Sequence, residues 1–343
     1  MQLYNKLSSN EREKILEASN LERITLSFYK YASIKNPSKL RDDLFIFWNS
    51  IDVLGRTYIA NEGINAQLSL PKKNLNIFSN HLTKIYFLKD LRINVALQHN
   101  LKSFLKLKIK VKNKIVADGL NDNSFDVTKK GEHLNAKEFN NHMKDKNSIV
   151  LDMRNHYESE IGHFREAICP DVDTFRDSLS IIERDILKNK KNKKLLMYCT
   201  GGIRCEKASA YFKHKGFQNV YQLEGGIIEY AKQVKEQGLE NNFIGKNFVF
   251  DGRMAEEVSK QVIANCHQCG TPFDIHTNCA NDGCHLLFIQ CNDCKKIMEN
   301  CCSYECRETF RKPLDKQKLL RTGKKTKHDI FKKGRTTKVS RIN

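Results

Sequence analysis

The stretch Cys199-Thr200-Gly201-Gly202-Ile203-Arg204 leaves the apolar run Leu195-Leu196-Met197-Tyr198 and turns at once. Glycines at 201 and 202 let the backbone curl with its N–H groups pointing inward, and Arg204, where a helix begins, adds positive potential. A nest of this kind lowers a thiol pKa and stabilises a thiolate, a persulfide or a bound anion. A cysteine at a strand end is more often a small buried hydrophobe. The two glycines and the arginine reverse that reading here. Cys199 and Arg204 are therefore the expected reactive pair, with the amides of Thr200, Gly201, Gly202 and Ile203 and the Arg204 side chain holding an anionic sulfur.

Cysteine phosphatases place their arginine one residue further on, where this chain has Cys205. The loop here is tighter, and suits a sulfane sulfur on Cys199 better than a tetrahedral phosphate. In that respect it resembles a rhodanese domain. Cys205 reads either as a thiol that resolves a persulfide or oxidised Cys199 by disulfide formation, or as a buried first-turn residue.

Around the loop, Ile149-Val150-Leu151 ends at Asp152-Met153-Arg154, Leu195 runs to Cys199, and Val220 to Leu223 precedes Glu224-Gly225-Gly226. These short strands alternate with helices such as Cys205 to Lys215, which predicts a parallel sheet in an α/β domain over 133–240. Ligands of such sheets gather at the carboxyl ends of the strands, where Cys199, Asp152 and Gly225 should lie. Asp152 and Arg154 are expected to shape the pocket rim. For Asp152 the alternative is a carboxylate capping local backbone or pairing with an arginine.

Residues 1–20 read as a polar, partly helical lead-in. Over 21–120 the pattern is strand (24–31), helix (37–51), strand (53–60), strand (64–70), helix (71–87), strand (104–111). Leu40, Leu44, Phe47, Trp48 and Ile51 support the first helix, and Leu75, Phe78, Leu82, Ile85 and Tyr86 the second, at helical spacing. Pro37 and Pro71 are expected at helix starts. The order βαββαβ is that of a ferredoxin-like or acylphosphatase-like α+β domain. Its last segment alternates apolar residues with Lys106, Lys108, Lys110, Lys112 and Lys114, so one face packs and the other is charged. That stripe is either a lysine-protected edge or a strand facing RNA. Asn61, Glu62 and Asn65, in a turn between strands, either contact RNA or stabilise the turn. Residues 121–132 form a polar linker.

After a connector at 241–262, a module at 263–308 holds nine of the twelve cysteines: Cys266, Cys269, Cys279, Cys284, Cys291, Cys294, Cys301, Cys302 and Cys306. Two separate C-x-x-C knuckles are a strong zinc signal, stronger than disulfides in a reducing compartment. His267, His276 and His285 are possible substitute ligands. Two four-ligand sites need eight residues, so at least one of Cys301 and Cys302 is expected to be spare.

The formal net charge is +19, and residues 307–343 carry 14 Lys and Arg against three acids, a net of +11. A polyanionic partner is the natural inference, against the alternative of a solubilising appendage. The basic tail, 309–343, is too polar to contribute much core. No run reaches the roughly 18 apolar residues of a membrane span, and Met1-Gln2-Leu3-Tyr4-Asn5-Lys6 leads into polar sequence rather than an apolar signal core. A cytoplasmic protein is expected.

Further stretches extend the resemblance: Tyr58-Ile-Ala-Asn-Glu-Gly-Ile-Asn-Ala-Gln67, Asp152-Met-Arg-Asn-His-Tyr-Glu158 with Gly162-His163-Phe164, Cys199 to Ala208, Cys266-His-Gln-Cys269 and Asn278 to Cys291. Together they are similar to the rhodanese-type tRNA uridine hydroxylase family, over about residues 20 to 310. The resemblance implies oxygen-dependent conversion of the wobble uridine of tRNA to 5-hydroxyuridine by an oxidoreductase, with molecular oxygen as co-substrate. It also implies that Cys199 is the catalytic cysteine, with a persulfide intermediate. The residues themselves present no two-histidine-one-carboxylate set and no dinucleotide glycine fingerprint, so no organic cofactor is evident. Two other readings compete. A persulfide sulfurtransferase leaves the tail and the cysteine module unexplained. A non-catalytic RNA or protein adaptor conflicts with the complete Cys199–Arg204 loop.

Overall fold

Nine residues, Arg23–Tyr31 (β1), form a long strand beside the centre of a mixed, mainly antiparallel sheet in a computed structural model that describes residues 5, 7–19, 21–120, 125–188, 190–322 and 339–342. Before it stands helix α1 (Ser9–Ala18), started by a capping box between Ser8 and Glu11. Helix α2 (Pro37–Ser50), strands β2 (Leu54–Ala60) and β3 (Gly63–Pro71), helix α3 (Leu75–Thr83) and strands β4 (Asn94–Val95) and β5 (Leu107–Val111) complete a sheet of order β4-β1-β3-β2-β5. Two expectations need correction. The fourth strand of the βαββαβ unit is the two-residue β4, and the lysine-striped segment is a fifth strand, parallel to β2 on the far edge. Pro71 ends β3 in register with Arg23 rather than starting a helix; a tight turn at Lys72–Asn74 intervenes.

Leu26, Phe28, Leu44, Trp48, Ile64 and Phe78 pack the helices onto one face of this sheet. The opposite face is polar. Register aligns Asn94, Ser27, Gln67, Arg56 and Lys108 in one row across all five strands, and Tyr29, Asn65, Tyr58 and Lys110 in the next.

The central domain is the expected parallel sheet, of order β6-β10-β9-β7: Glu132–Leu134 (β6), Ser148–Asp152 (β7), Lys194–Tyr198 (β9) and Val220–Leu223 (β10). Its helices are α4 (Ala136–Met143), α5 (His156–Ser159), α6 (Phe175–Ile181), α7 (Ile203–His214) and α8 (Gly226–Gln237). Leu195, Met197 and Cys199 enter the core on one side of β9, Leu196 and Tyr198 the core on the other. Burial on both faces is why the strand reads as an unbroken apolar run.

Residues 241–262 are not a mere connector. Phe243–Phe248 (β11) pairs with β8 (Gly162–Phe164) and with β12 (Ala255–Glu257). Phe243 and Phe248, both buried, bind this segment to Phe164 and Tyr157.

The cysteine module follows as a hairpin, β13 (His276–Asn278) and β14 (Leu287–Ile289), then α9 (Asn292–Met298), α10 (Tyr304–Phe310) and α11 (Leu314–Arg321). Residues 323–338, the heart of the basic tail, lie outside the described residues, as do 121–124 of the linker. The end of the tail, expected to contribute little core, does dock on the cysteine module. Val339 packs against Cys279 and Cys302, Ser340 N–H donates to Cys302 O at 3.0 Å, and Ile342 N–H to Gln268 O at 3.0 Å.

Candidate active site

Cys199 leaves the carboxyl end of β9 and is 0% exposed. Gly202 sits at φ +101°, and Gly226, at φ +67°, lets α8 begin so close that an added Cβ would lie 2.5 Å from Cys199 O. Ile227 N–H donates to that oxygen at 3.0 Å. The loop is thus clamped between α7 and α8.

The Cys199 Sγ accepts the Gly202 N–H at 3.1 Å. Burial pushes its thiol up, but the Cys205 thiol hydrogen bond, the Arg204 charge and the Arg204 and Cys205 amides outweigh burial and bring it down to about 5. Cys199 is therefore a thiolate at neutral pH. Cys205, buried beside it, is driven well above the ordinary thiol range by burial and by donating to that sulfur. It is a protonated donor in this state.

Arg204 holds the sulfur differently from expectation. Its guanidinium forms two bonds to the buried Glu158 carboxylate, at 2.6 and 2.8 Å, and one to Thr200 Oγ1 at 3.3 Å. The N–H groups touch the sulfur while the guanidinium acts through its field. Asp152 and Arg154 do not form the rim either. Both are buried, joined at 2.7 Å, and Arg154 donates to Gly162 O at 2.5 Å. Asp152 takes its alternative role, pairing with an arginine and accepting the Arg154 N–H at 2.9 Å.

The polar face of the N-terminal sheet closes over this loop and leaves a cleft of about 400 Å³, whose walls include Tyr29, Tyr58, Gln67, Asn94, Phe250 and Arg253 with Cys199 at its floor. Four consecutive residues at the start of α7 are engaged: the first two hold the cysteine loop, and the next two fasten it to the N-terminal domain. Arg204 pairs with Glu158, Cys205 with the sulfur, Glu206 with Tyr29 Oη at 3.2 Å and Lys130 at 2.9 Å, and the buried Lys207 with Glu62 and Asp118, both at 2.6 Å.

Internal bonds also engage several residues expected either to contact RNA or to stabilise structure. Glu62 accepts the Ile115 N–H at 2.7 Å besides its bond to Lys207, so it is committed to the domain junction. Asn61 donates to Ile34 O at 3.1 Å and Asn65 to Ile115 O at 3.2 Å, although Asn65 also lines the cleft. Lys114 turns inward to Asp118 and Leu120 O. Lys108, Lys110 and Lys112 are exposed, and Lys106 half-buried.

Eight of the nine module cysteines fall into two sets: Cys266, Cys269, Cys291 and Cys294, and Cys279, Cys284, Cys302 and Cys306. Within each, all sulfurs lie within 4.8 Å of one another. Separations of 3.6 Å for Cys269–Cys291 and 3.7 Å for Cys284–Cys302 and Cys302–Cys306 suit an ion with bonds of about 2.3 Å, which places tetrahedral ligands roughly 3.8 Å apart. Cys301 is the spare. His267 instead bonds Glu160 at 2.8 Å, and His276 and His285 join neither set.

Sequence reasoning missed Tyr29, Asn94, Glu158, Glu206 and Lys207. Glu158, Glu206 and Lys207 stand inside the quoted motifs, and the alternation of β1 could have flagged Tyr29. For Asn94 no local signal exists.

Three family models match: the UPF0176 acylphosphatase like domain over 23–115, the rhodanese-like domain over 135–233 and the rhodanase C-terminal model over 244–307. A curated Leptospira interrogans protein named tRNA uridine(34) hydroxylase is 54% identical over 97% of this chain and 90% of its own. Proteins of the same name from Photorhabdus laumondii and Enterobacter sp. are 50% and 48% identical, each over 97% of this chain and 95% of its own. Among solved structures, a rhodanese-related protein from Thermoplasma volcanium aligns with 33% of this chain and 97% of its own at 22% identity and a TM-score of 0.24.

Proposed function

This chain belongs to the tRNA uridine(34) hydroxylase family, and from that premise we propose that the Cys199 thiolate, at the floor of the interdomain cleft, is the reactive group for hydroxylation of the wobble uridine. The enzyme is an oxidoreductase acting on tRNA. Hydroxylation at C5 replaces C–H by C–OH; with molecular oxygen as the proposed source of the new oxygen atom, the second atom leaves as water, formed with two electrons and two protons from an external reductant.

The observation that carries this reading is a thiolate stabilised by three N–H groups and the Cys205 thiol in a cleft walled by a second, polar domain. A thiolate so held can carry a sulfane sulfur as a persulfide, whose terminal sulfur the same donors would meet. Exposed Lys108, Lys110 and Lys112 on the adjoining edge strand, with the basic tail, supply the field that draws a tRNA to the cleft. The two cysteine sets fit zinc, a soft ion with tetrahedral preference, as structural staples for a module poor in apolar residues. The proposed setting is the cytoplasm, where tRNA is held.

Nucleoside mass spectrometry of tRNA from a deletion strain tests it. Complementation with the wild-type chain restores 5-hydroxyuridine, and Cys199→Ser does not. Full restoration by the serine variant would sink the cysteine mechanism. Thiosulfate-to-cyanide transfer with no change in tRNA nucleosides would instead establish the sulfurtransferase.

A further inference from the structure

Asn94 stands at the edge of the N-terminal sheet and lines the same cleft as Cys199. It is 3% exposed. Its Nδ2 donates to Gly201 O, in the cysteine loop, at 3.4 Å, while its Oδ1 is buried and accepts no hydrogen bond from any described residue. Leaving a buried acceptor unpaired is costly. In a ligand cleft such an atom marks where a donor of the ligand belongs.

Register supplies the rest of the recognition surface. Asn94 is opposite Ser27, Ser27 opposite Gln67, Gln67 opposite Arg56 and Arg56 opposite Lys108. The row therefore presents an acceptor, a hydroxyl, an amide and two cations in sequence across the sheet. Uracil presents a single N–H donor, at N3, between two carbonyl acceptors. Cytosine carries an acceptor at N3, which would face the Asn94 oxygen with no proton between them.

Accepting that the cleft receives the wobble uridine, we infer that Asn94 selects it: Oδ1 accepts the N3–H of the flipped base, Ser27 and Gln67 donate to a flanking carbonyl, and Arg56 and Lys108 receive the backbone phosphates at the cleft mouth. The N3 edge then faces the sheet and the C5–C6 edge is left free. Asn94 is a specificity residue that touches substrate, and its contact to Gly201 ties base selection to the cysteine loop.

Binding of anticodon stem-loops carrying uridine, 3-methyluridine or cytidine at the wobble position to the purified full chain tests this, read by fluorescence anisotropy. The wild-type chain should prefer uridine to either competitor by roughly 10-fold, the effect of one lost hydrogen bond at a buried acceptor. In Asn94→Ala and Asn94→Ser the preference should fall to within about 2-fold, through weaker binding of the uridine form. Because the ratio is internal to each variant, a partly unfolded preparation does not change it. Variants that keep the full preference overturn the assignment. So does a wild-type chain that binds all three alike while cells still make 5-hydroxyuridine. Absence of that nucleoside from cells would overturn the hydroxylase reading itself.

Discussion

A side chain at position 202 would begin where the Tyr29 hydroxyl already stands, with an added Cβ only 2.8 Å from that oxygen. The loop that carries Cys199 is therefore shaped partly by a residue from a different domain. Gly202→Ala meets two penalties: a left-handed φ of +101°, worth about 1–3 kcal/mol, and the contact with Tyr29. Tyr29→Phe removes only the second. Urea unfolding of both single variants and the double variant should show coupling above about 0.5 kcal/mol. Strict additivity would mean that the Tyr29 ring gives way freely.

Because the folded Cys199 thiol is near 5, against about 8.5 for an unfolded chain, its ionisation stabilises the fold fully above the unfolded value. That contribution is lost as the pH falls toward 5. Catalysis dependent on the thiolate should share this acid limb. Cys205→Ala removes a donor and should move the titration upward, whereas Cys205→Ser keeps a donor and should move it less. Thiolate ultraviolet absorbance, taken as the difference from Cys199→Ser, reads the midpoint directly, and an unchanged midpoint in Cys205→Ala would refute the role given to that thiol.

The two cysteine sets predict distinct metal stoichiometries. Cys301→Ser should retain two ions per chain and Cys302→Ser should lose one, since Cys302 but not Cys301 belongs to a set. Elemental analysis of anaerobically purified protein distinguishes them. A chelator should unfold this module before the other domains.

Lys207→Met would leave Glu62 and Asp118 facing each other's charge without the buried ammonium, at a cost of about 3–5 kcal/mol. Burial raises the Asp118 carboxyl, but Lys114 and Lys207 together hold it below the usual range. Its stabilising contribution is therefore present above about pH 4 and disappears as the pH falls through the folded value. In the variant the carboxyl protonates more readily, so the deficit in denaturant unfolding should be largest at neutral pH and shrink on acidification.

Replacing the seven Lys and Arg residues between 323 and 338 by Gln removes positive charge while keeping the docked residues Val339 and Ser340. If those charges meet tRNA phosphates, affinity should fall and the slope of log K against log salt should flatten, by up to about 0.9 per lost contact. An unchanged slope assigns the electrostatic attraction to the Lys108–Lys112 strand instead.

Local patterns revealed the parts of this molecule that obey local rules. The strand–glycine–arginine sequence around Cys199, the helical spacing of Leu44 and Trp48 and the C-x-x-C pairs each carry their own chemistry over a few residues. The pairings between distant segments could not be read that way. Nothing near Glu62 says that its carboxylate meets Lys207, 145 residues on. Arg204 fits both an anion grip and an ion pair until Glu158 is seen beside it. The two-residue β4 is too short to leave a periodic trace, and with it went Asn94.

The first turn of α7 also limits how this protein could be recombined. A rhodanese unit excised at 133–240 would carry Lys207 without Glu62 or Asp118 and Glu206 without Tyr29, exposing groups whose partners lie outside the cut. The N-terminal and rhodanese-like segments therefore have to be mutated and engineered as one unit, although each resembles a module that could stand alone.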